Sequence, residues 1–284
     1  SYNIDVHSMK LLSDKIITPI TNADTFNGRI NRKCIQNIFF IEIDRPQKLN
    51  GMTPFMFYEI SKAFTEYEND NNAKCCLVYT SGKNFCSGMD LRQMSTLLKK
   101  KDHSWLKPKK GIDPLSLHKP FRSKPLIVAV KGVTFTYGLE LMLSSDIALC
   151  GRKTSFAMLE ALRGLLMTGG GTIRFVERAG WGNAMKYLLT GMKFDSKEAY
   201  RMNLVQEIIE ENRLFTRAVE LANMICNASS LAVKEIIKNA RLALINKKKA
   251  INSLNKAQEK LVNKKDFKEG LESFLEKRNP DFNR

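Results

Sequence analysis

Two glutamates have neighbours and a spacing that could support acid–base catalysis. Glu140 is surrounded by apolar residues in a short predicted helix, 137–145, and Glu160 follows the next predicted strand. Paired carboxylates can activate a water molecule, one as the base and the other as the acid, when their surroundings separate their pKa values. A single helical glutamate more often lies on a solvated face, so each residue alone is weak evidence.

Two strand–loop–helix units, at 75–94 and 126–145, share a design that could bind an oxyanion. In each unit a predicted buried strand ends in a glycine-containing loop, and a helix begins at once. The first backbone N–H groups of a helix have no acceptor within it, and the helix dipole adds partial positive charge there. The candidate donors are the amides of Met89 and Tyr137, which together would form an oxyanion hole. Such corners are common in α/β proteins, so the pattern alone indicates little.

The elements that must position these groups alternate between strand and helix up to about residue 205. Short apolar runs predict buried strands, and helical patterns lie between them. Beyond residue 212 only helical patterns occur. The chain is therefore predicted to be an α/β protein that divides into an N-terminal extension, a core and a C-terminal helical region, at 1–36, 37–210 and 211–284. A lysine- and proline-rich segment, 99–125, predicts an insertion or lid outside the core.

The composition is that of an ordinary globular protein with a strongly basic surface. The chain of 284 residues is 43% apolar and has a formal net charge of +17. This charge allows three kinds of anionic partner, namely a nucleic acid, an anionic membrane surface or a phosphorylated ligand. No apolar run reaches about 18 residues, so we expect no membrane-spanning helix and no membrane partner.

The cysteines and histidines argue against disulfides and against a metal site. Six cysteines without a CxxC pair indicate free thiols in a reducing compartment. Residues 1–33 contain no apolar core of signal-peptide length, which favours a cytoplasmic location. The three histidines lie far apart without the spacing of metal ligands, so we predict no metal site.

Seven motifs resemble those of the crotonase (enoyl-CoA hydratase/isomerase) superfamily, and they occur in the family's order and spacing. Each motif alone is weakly specific, whereas the ordered set is a strong signal that extends from about Asn37 to Phe282. The motifs are IDRPQKLN (43–50), SGKNFCSGMDL (81–91), KPLIVAVKG (124–132), GLELMLSSD (138–146), GGGTIR (169–174), KYLLTG (186–191) and FLEKRNP (274–280).

The resemblance implies a crotonase-like spiral of β-β-α units with a C-terminal helical part that forms a trimer, often paired into a hexamer. Such proteins bind an acyl-CoA thioester, hold its carbonyl in an oxyanion hole and stabilise the enolate that forms there. The amides of Met89 and Tyr137 occupy the matching positions. Coenzyme A is then part of the substrate, and no separate cofactor is expected. The resemblance also implies a role in fatty-acid and lipid metabolism.

Both positions that hydratases of this superfamily fill with glutamate are glutamate here. By this resemblance Glu140 helps to activate water and Glu160 exchanges the proton at the α-carbon, which favours a hydro-lyase acting on a trans-2-enoyl-CoA. Isomerase-type members usually keep only the second glutamate. Asp146 matches a supporting position that does not react.

Four basic residues match positions that meet the phosphates of coenzyme A, where a cation is favourable. Lys48 and Arg92 would act within one subunit, and Lys277 and Arg278 would reach a ligand from the tail of a neighbouring subunit. For each residue the alternative is an ordinary solvated side chain.

Departures from the family pattern leave other functions open. Thr136 and Tyr137 replace glycines, Leu159 stands where proline commonly precedes the second glutamate, and Met167-Thr168 replaces a proline-containing turn. The alternatives are another crotonase reaction, by an enoyl-CoA isomerase, hydrolase or decarboxylase, or a non-catalytic homologue that binds RNA or a protein partner. Lysines between 247 and 265 could contact RNA, but no aromatic residue lies between them to stack on bases.

Overall fold

The computed structural model describes residues 27–100 and 111–282. Most of the predicted N-terminal extension (1–26) and part of the predicted lid (101–110) lie outside the described residues. The strands of the described part are, in chain order, β1 (Arg29–Ile35), β2 (Ile38–Asp44), β3 (Cys75–Tyr79), β4 (Leu126–Val130), β5 (Val133–Phe135), β6 (Ile147–Gly151), β7 (Ser155–Ala157), β8 (Phe194–Asp195) and β9 (Glu207–Ile209).

The helices alternate with these strands and then continue alone to the end of the described chain. They are α1 (Pro54–Asn69), α2 (Leu91–Lys99), α3 (Tyr137–Leu143), α4 (Gly171–Ala179), α5 (Trp181–Thr190), α6 (Ser196–Arg201), α7 (Glu211–Cys226), α8 (Ser230–Ile245), α9 (Lys247–Val262) and α10 (Lys265–Leu275). Local sequence explains the starts of several helices. The Thr53 hydroxyl accepts a hydrogen bond from the Met56 amide before α1, and the Asp90 carboxylate accepts one from Gln93 before α2.

The strands form two sheets. The larger has the order β1-β2-β3-β4-β6-β9, with β1 antiparallel to β2 and all other neighbours parallel. The smaller has the order β5-β7-β8. Because β1 pairs along the whole of β2, the predicted domain boundary at residue 36 falls inside a hairpin. The polar and charged residues of this edge strand, which is buried only in part, hid it from the sequence pattern.

Layers of helix cover both faces of the larger sheet. Alternate side chains of β3 point to opposite faces, so Cys76 packs in a cluster with Phe64 of α1, and Leu77 packs in a second cluster with Ala218 of α7. Every residue of β3 and β4 is buried. This double burial explains the continuous apolar runs of these strands.

The segment 111–125 corrects one prediction, because part of it belongs to the core. Ile112 and Leu115 are buried in the main cluster, at 5% and 2% exposure. The Asp113 carboxylate accepts hydrogen bonds from the amides of Leu115, Leu117 and His118, which satisfies a loop that would otherwise bury unpaired N–H groups. Lysine and proline content alone had indicated an exposed lid.

The last three helices of the described chain are only lightly packed. Among their described residues only Ala250 and Ser273 are buried. Large apolar side chains on these helices are instead exposed, among them Ile236, Leu244, Ile245, Ile251, Leu254, Phe274 and Leu275. No helix within the described ranges is both long and apolar enough to cross a bilayer.

Asp146 connects the larger sheet to these helices. Its Oδ2 accepts hydrogen bonds from the Leu126 amide at 2.8 Å and from the Arg122 guanidinium at 2.7 Å, and its Oδ1 accepts one from Arg241 of α8 at 3.1 Å. Partial burial opposes ionisation of this carboxyl, but the two guanidinium groups hold its pKa below the usual value. Because the Arg122 side chain is fully buried, Asp146 supplies the counter-charge for a desolvated guanidinium.

We expect Asp146→Asn to lower the free energy of unfolding by about 3 kcal/mol, since it leaves a buried guanidinium without its counter-charge. Glu210→Gln is the control, because the ion pair of Glu210 with Arg152 is more than half exposed and should contribute less than about 1 kcal/mol. Urea denaturation of both variants measures the difference. Equal losses would show that the Asp146 contacts do not stabilise the junction.

Candidate active site

A pocket of about 100 Å³ lies where the two predicted strand–loop–helix units meet. Its wall combines aliphatic side chains, two hydroxyl groups, one carboxylate and one guanidinium. The lining residues are Ser87, Met89, Leu91, Thr136, Leu159, Glu160, Arg163 and Leu165.

Backbone pairing holds the two units side by side. The Cys86 amide donates to the Val133 carbonyl at 3.0 Å, and the Phe135 amide donates to the Cys86 carbonyl at 2.9 Å. Gly88 has a φ of +104°, and a Cβ built there would lie 1.8 Å from Oγ1 of Thr136. Only glycine therefore fits this contact, which brings the start of α2 against the start of α3.

The predicted oxyanion donors lie in the loop before α2, for the Met89 amide, and at the first residue of α3, for the Tyr137 amide. Met89 precedes Asp90, the N-cap of α2, so its amide is not one of the first N–H groups of that helix, as the sequence pattern had indicated. Met52 bonds to the carbonyl of Gly88 and to the amide of Asp90, both at 2.8 Å. Because successive N–H groups of an extended segment point to opposite sides, the Met89 amide points away from Met52. Tyr137 is the first residue of α3 and has no acceptor within the helix. Neither amide donates a recorded hydrogen bond to another described residue.

The side chain of Tyr137 does not enter the pocket. It is 4% exposed, and its ring packs edge-on against Phe57 with the centroids 4.6 Å apart. The departure from glycine at this position therefore adds bulk to the core and leaves the backbone amide at the helix start. The strain falls on Thr136, which has a φ of +47° and a ψ of −116°.

Glu140 is buried against a glycine-rich turn. It is 4% exposed, and its Oε1 accepts a hydrogen bond from the Gly171 amide at 3.0 Å. A Cβ at Gly169 would lie 2.4 Å from Oε2, so this turn approaches the carboxylate more closely than another residue could. Burial and, to a smaller extent, the charge of Glu160 raise the pKa of Glu140 to about 7, although the amides of Gly171 and Gly169 oppose the rise.

Glu160 is the second buried carboxylate, and it lines the pocket. It is 5% exposed, burial raises its pKa, and its Oε2 has no hydrogen-bond partner among the described residues. The Thr136 amide donates to the Ala157 carbonyl at 2.9 Å, which fixes the end of β7 beside the start of α3. A buried carboxylate oxygen without a partner is costly, so this atom is a candidate for contact with a ligand.

The four predicted coenzyme A contacts fall into two groups. Lys48 and Arg92 are exposed, and each is next in sequence to a residue at the pocket. The carbonyl of Leu49 accepts a hydrogen bond at 3.0 Å from the amide of the pocket residue Ser87, and Leu91 lines the pocket itself. Lys277 and Arg278 follow α10 and do not line it. Arg278 forms ion pairs with Glu269 and Glu276 of its own chain, both at 2.5 Å.

Sequence reasoning missed two features of this site. Gly171 is only a member of the GGGTIR motif at the level of sequence, whereas in the structure it donates to Glu140 from the first turn of α4. Arg163 was not considered, although it lines the pocket. Its spacing of three residues from Glu160 was the available signal. The recorded partners of Asp146, in contrast, do not line the pocket, so this residue supports the fold and does not contact the pocket residues. No cluster of metal-ligating side chains occurs within the described ranges.

We expect Thr136→Gly to raise the free energy of unfolding. A threonine at φ +47° and ψ −116° is strained by about 1–3 kcal/mol, and glycine removes that strain at a smaller entropic cost, so the net gain is about 1 kcal/mol. Thr96→Gly, at an exposed position of α2, is the control and should lose roughly 0.5 kcal/mol. Urea denaturation tests both. A loss in both variants would contradict the strain at Thr136.

The raised pKa of Glu140 predicts a pH-dependent effect of Glu140→Gln. A carboxyl whose pKa rises from 4.5 to about 7 on folding stabilises the protein below pH 4.5, and this contribution is lost as the pH rises through 7. The amide variant keeps the acceptor for Gly171 but has no charge to bury. We compare the free energy of unfolding of this variant with that of the native protein. As the pH rises from 5 to 9, we expect the difference to change by about 3 kcal/mol in favour of the variant.

Urea denaturation across this pH range measures the gain. Glu259→Gln, at an exposed position of α9, changes no buried charge and is the control. Parallel stability curves for the native protein and Glu140→Gln would show that Glu140 is not desolvated.

Comparison with known proteins supports the family that the motifs predict. The family model described as enoyl-CoA hydratase/isomerase matches residues 33–284. An enoyl-CoA hydratase of Mycobacterium tuberculosis is 30% identical over 246 residues, which cover 85% of this chain and 91% of that protein. A 1,2-epoxyphenylacetyl-CoA isomerase of Escherichia coli is 25% identical over 254 residues, which cover 87% of this chain and 95% of that protein.

Solved structures confirm the fold predicted from the motifs. A probable enoyl-CoA hydratase/isomerase from Mycobacterium abscessus superposes with a TM-score of 0.85 and 34% identity, over 91% of this chain and 99% of that one. The predicted resemblance and fold class are therefore correct. The chain belongs to the enoyl-CoA hydratase/isomerase family of the crotonase superfamily.

Proposed function

We propose that this protein is a hydro-lyase that adds water to a trans-2-enoyl-CoA thioester. One observation carries the proposal: two glutamates, Glu140 and Glu160, are both buried with raised pKa values, and the charge of Glu160 contributes to the rise for Glu140. Relatives include an isomerase as well as hydratases, so family membership supports chemistry on CoA thioesters in general. The pair of carboxylates is the reason to prefer hydration.

In the proposed reaction the thioester oxygen accepts hydrogen bonds from the amides of Met89 and Tyr137. Water adds to C3, the C2–C3 double bond shifts its electrons toward that oxygen, and an enolate forms. Fixed N–H dipoles stabilise this charge as it develops, because they need no reorganisation. Glu140 accepts the proton from water, and Glu160 donates its proton to C2 as the enolate collapses.

Burial raises the pKa of both carboxyls. Ionising both groups in a buried site is unfavourable, so at neutral pH the pair tends to keep one proton. Burial raises the pKa of Glu140 to about 7, and it also raises the pKa of Glu160, where the amides of Glu160 and Leu159 and the charge of Arg163 oppose the rise. The assignment of Glu140 as the base and Glu160 as the acid rests on the resemblance to the two-glutamate hydratases.

Isomerisation is the closest alternative, because it uses the same enolate and needs a single proton carrier. It gives no role to the buried Glu140, which contacts Gly171. The RNA-binding alternative has less support, since the exposed lysines of α9 have no aromatic side chains between them.

Oligomer formation is a further part of the proposal. The exposed apolar side chains of α8, α9 and α10 would be buried between copies in a homotrimer or a dimer of trimers. In that assembly Lys277 and Arg278 would approach the ligand of a neighbouring subunit. A cytoplasmic location stays a prediction, supported by six cysteines that are all free.

Loss of the conjugated thioester absorbance with crotonyl-CoA and longer trans-2-enoyl-CoA substrates tests the reaction. We expect Glu140→Ala and Glu160→Gln each to lower kcat by about 10²- to 10⁴-fold, because each removes one proton-transfer group. Glu259→Gln, far from the pocket on α9, should keep native activity.

The outcomes separate the candidate reactions. If the native protein hydrates none of these substrates, the hydratase proposal fails. If Glu160→Gln is inactive while Glu140→Ala keeps most of its activity, a reaction that uses a single carboxylate, such as isomerisation, is favoured instead.

A further inference from the structure

The pocket that contains Glu160 also contains a guanidinium that forms no ion pair with a described residue. Arg163 lines this pocket and is exposed to solvent. Among the described residues its recorded side-chain bond is a long one, 3.4 Å from Nη1 to the Leu159 carbonyl, and it takes part in no ion pair. Most other arginines of the described chain form an ion pair with an aspartate or a glutamate. Arg163 therefore presents a cation at a ligand pocket.

The local backbone fixes the side of the pocket on which Arg163 lies. Residues Ala161–Arg163 form a 3-10 turn, and the Arg163 amide donates to the Glu160 carbonyl at 2.9 Å. Side chains three residues apart in such a turn are eclipsed, so Arg163 and Glu160 share one face. The charge of Arg163 also lowers the pKa of Glu160 against the larger effect of burial.

The position of Arg163 suits a contact with the acyl part of a ligand better than a contact with its nucleotide part. Glu160 is assigned to the α-carbon of the thioester, so a group on the same face of the turn lies beside the acyl chain. The predicted phosphate contacts, Lys48 and Arg92, approach the pocket from other elements. The remaining wall near Arg163 is aliphatic, with Leu159 and Leu165. An acyl chain with an anionic end would fit this pocket, because its aliphatic part would contact Leu159 and Leu165 and its anion would contact Arg163.

We propose that the substrate is the CoA monothioester of an unsaturated dicarboxylic acid, whose free carboxylate pairs with Arg163. The inference rests on the proposed function, because it takes Glu160 as the residue at the α-carbon. A planar guanidinium can donate two parallel hydrogen bonds to a carboxylate, whereas it offers nothing to a terminal methyl group. Such a contact changes affinity by roughly ten- to a hundredfold.

The test compares two substrates of equal chain length. trans-Glutaconyl-CoA and trans-2-pentenoyl-CoA both have five acyl carbons, and they differ in a terminal carboxylate against a methyl group. We expect the native protein to have a kcat/KM at least about tenfold higher for glutaconyl-CoA. In Arg163→Met this ratio should fall to about 1, and the circular dichroism spectrum of the variant should match that of the native protein as evidence of folding.

Two further variants control for charge. Arg163→Lys keeps the charge without the fork geometry and should give an intermediate ratio. Arg213→Met removes an exposed arginine on α7, whose recorded acidic contact is 3.8 Å long, and should leave the ratio unchanged.

Binding of saturated ligands separates this inference from the proposed reaction. Calorimetric titration with glutaryl-CoA and pentanoyl-CoA needs no hydration, and the native protein should prefer glutaryl-CoA by the same factor, whereas Arg163→Met should not.

A preference in binding without hydration would overturn the reaction and keep the carboxylate site. Hydration of both substrates at equal kcat/KM would overturn the carboxylate site alone. An equal loss for both substrates in Arg163→Met would assign the arginine to a phosphate of coenzyme A and would also overturn the proposal.

Discussion

The close contact between Gly88 and Thr136 is the constraint on which the rest of the site depends. A Cβ at residue 88 would overlap the threonine hydroxyl, so the loop and the next strand–helix corner can meet only because glycine is present. This contact brings the residue before Met89 against the residue before Tyr137. The cost appears in the backbone of Thr136, whose φ is positive. Strain of this kind is tolerated where the surrounding structure fixes the geometry.

The two buried carboxylates, like the strained backbone of Thr136, lower the stability of the fold. Glu140 is desolvated and receives one backbone donor, and Glu160 has an oxygen without a recorded partner in the described chain. A protein optimised only for folding would replace such groups with apolar ones. Their burial is useful if protons must be transferred near neutral pH, because burial shifts carboxyl pKa values toward that range. Stability lost at these groups is therefore consistent with a catalytic role.

Much of the core, and the strands and helices on which the site residues lie, could be predicted from the sequence, because these elements depend on local patterns. The apolar runs of β3 and β4 indicate double burial, and the helix that carries Glu140 follows its strand directly. The ring of Tyr137 could not be placed in this way, since its direction depends on packing against Phe57, which is distant in sequence. The Gly171 donor was missed for the same reason.

The infrared spectrum of a bound thioester tests the central claim most directly. With butyryl-CoA labelled with carbon-13 at the thioester carbonyl, the native protein can be saturated without turnover, and the labelled C=O stretch can be separated from protein bands. Two amide donors at this oxygen polarise the bond, so the account predicts a lower stretching frequency in the complex than in solution. An unchanged frequency at saturation would contradict an oxyanion hole formed by Met89 and Tyr137.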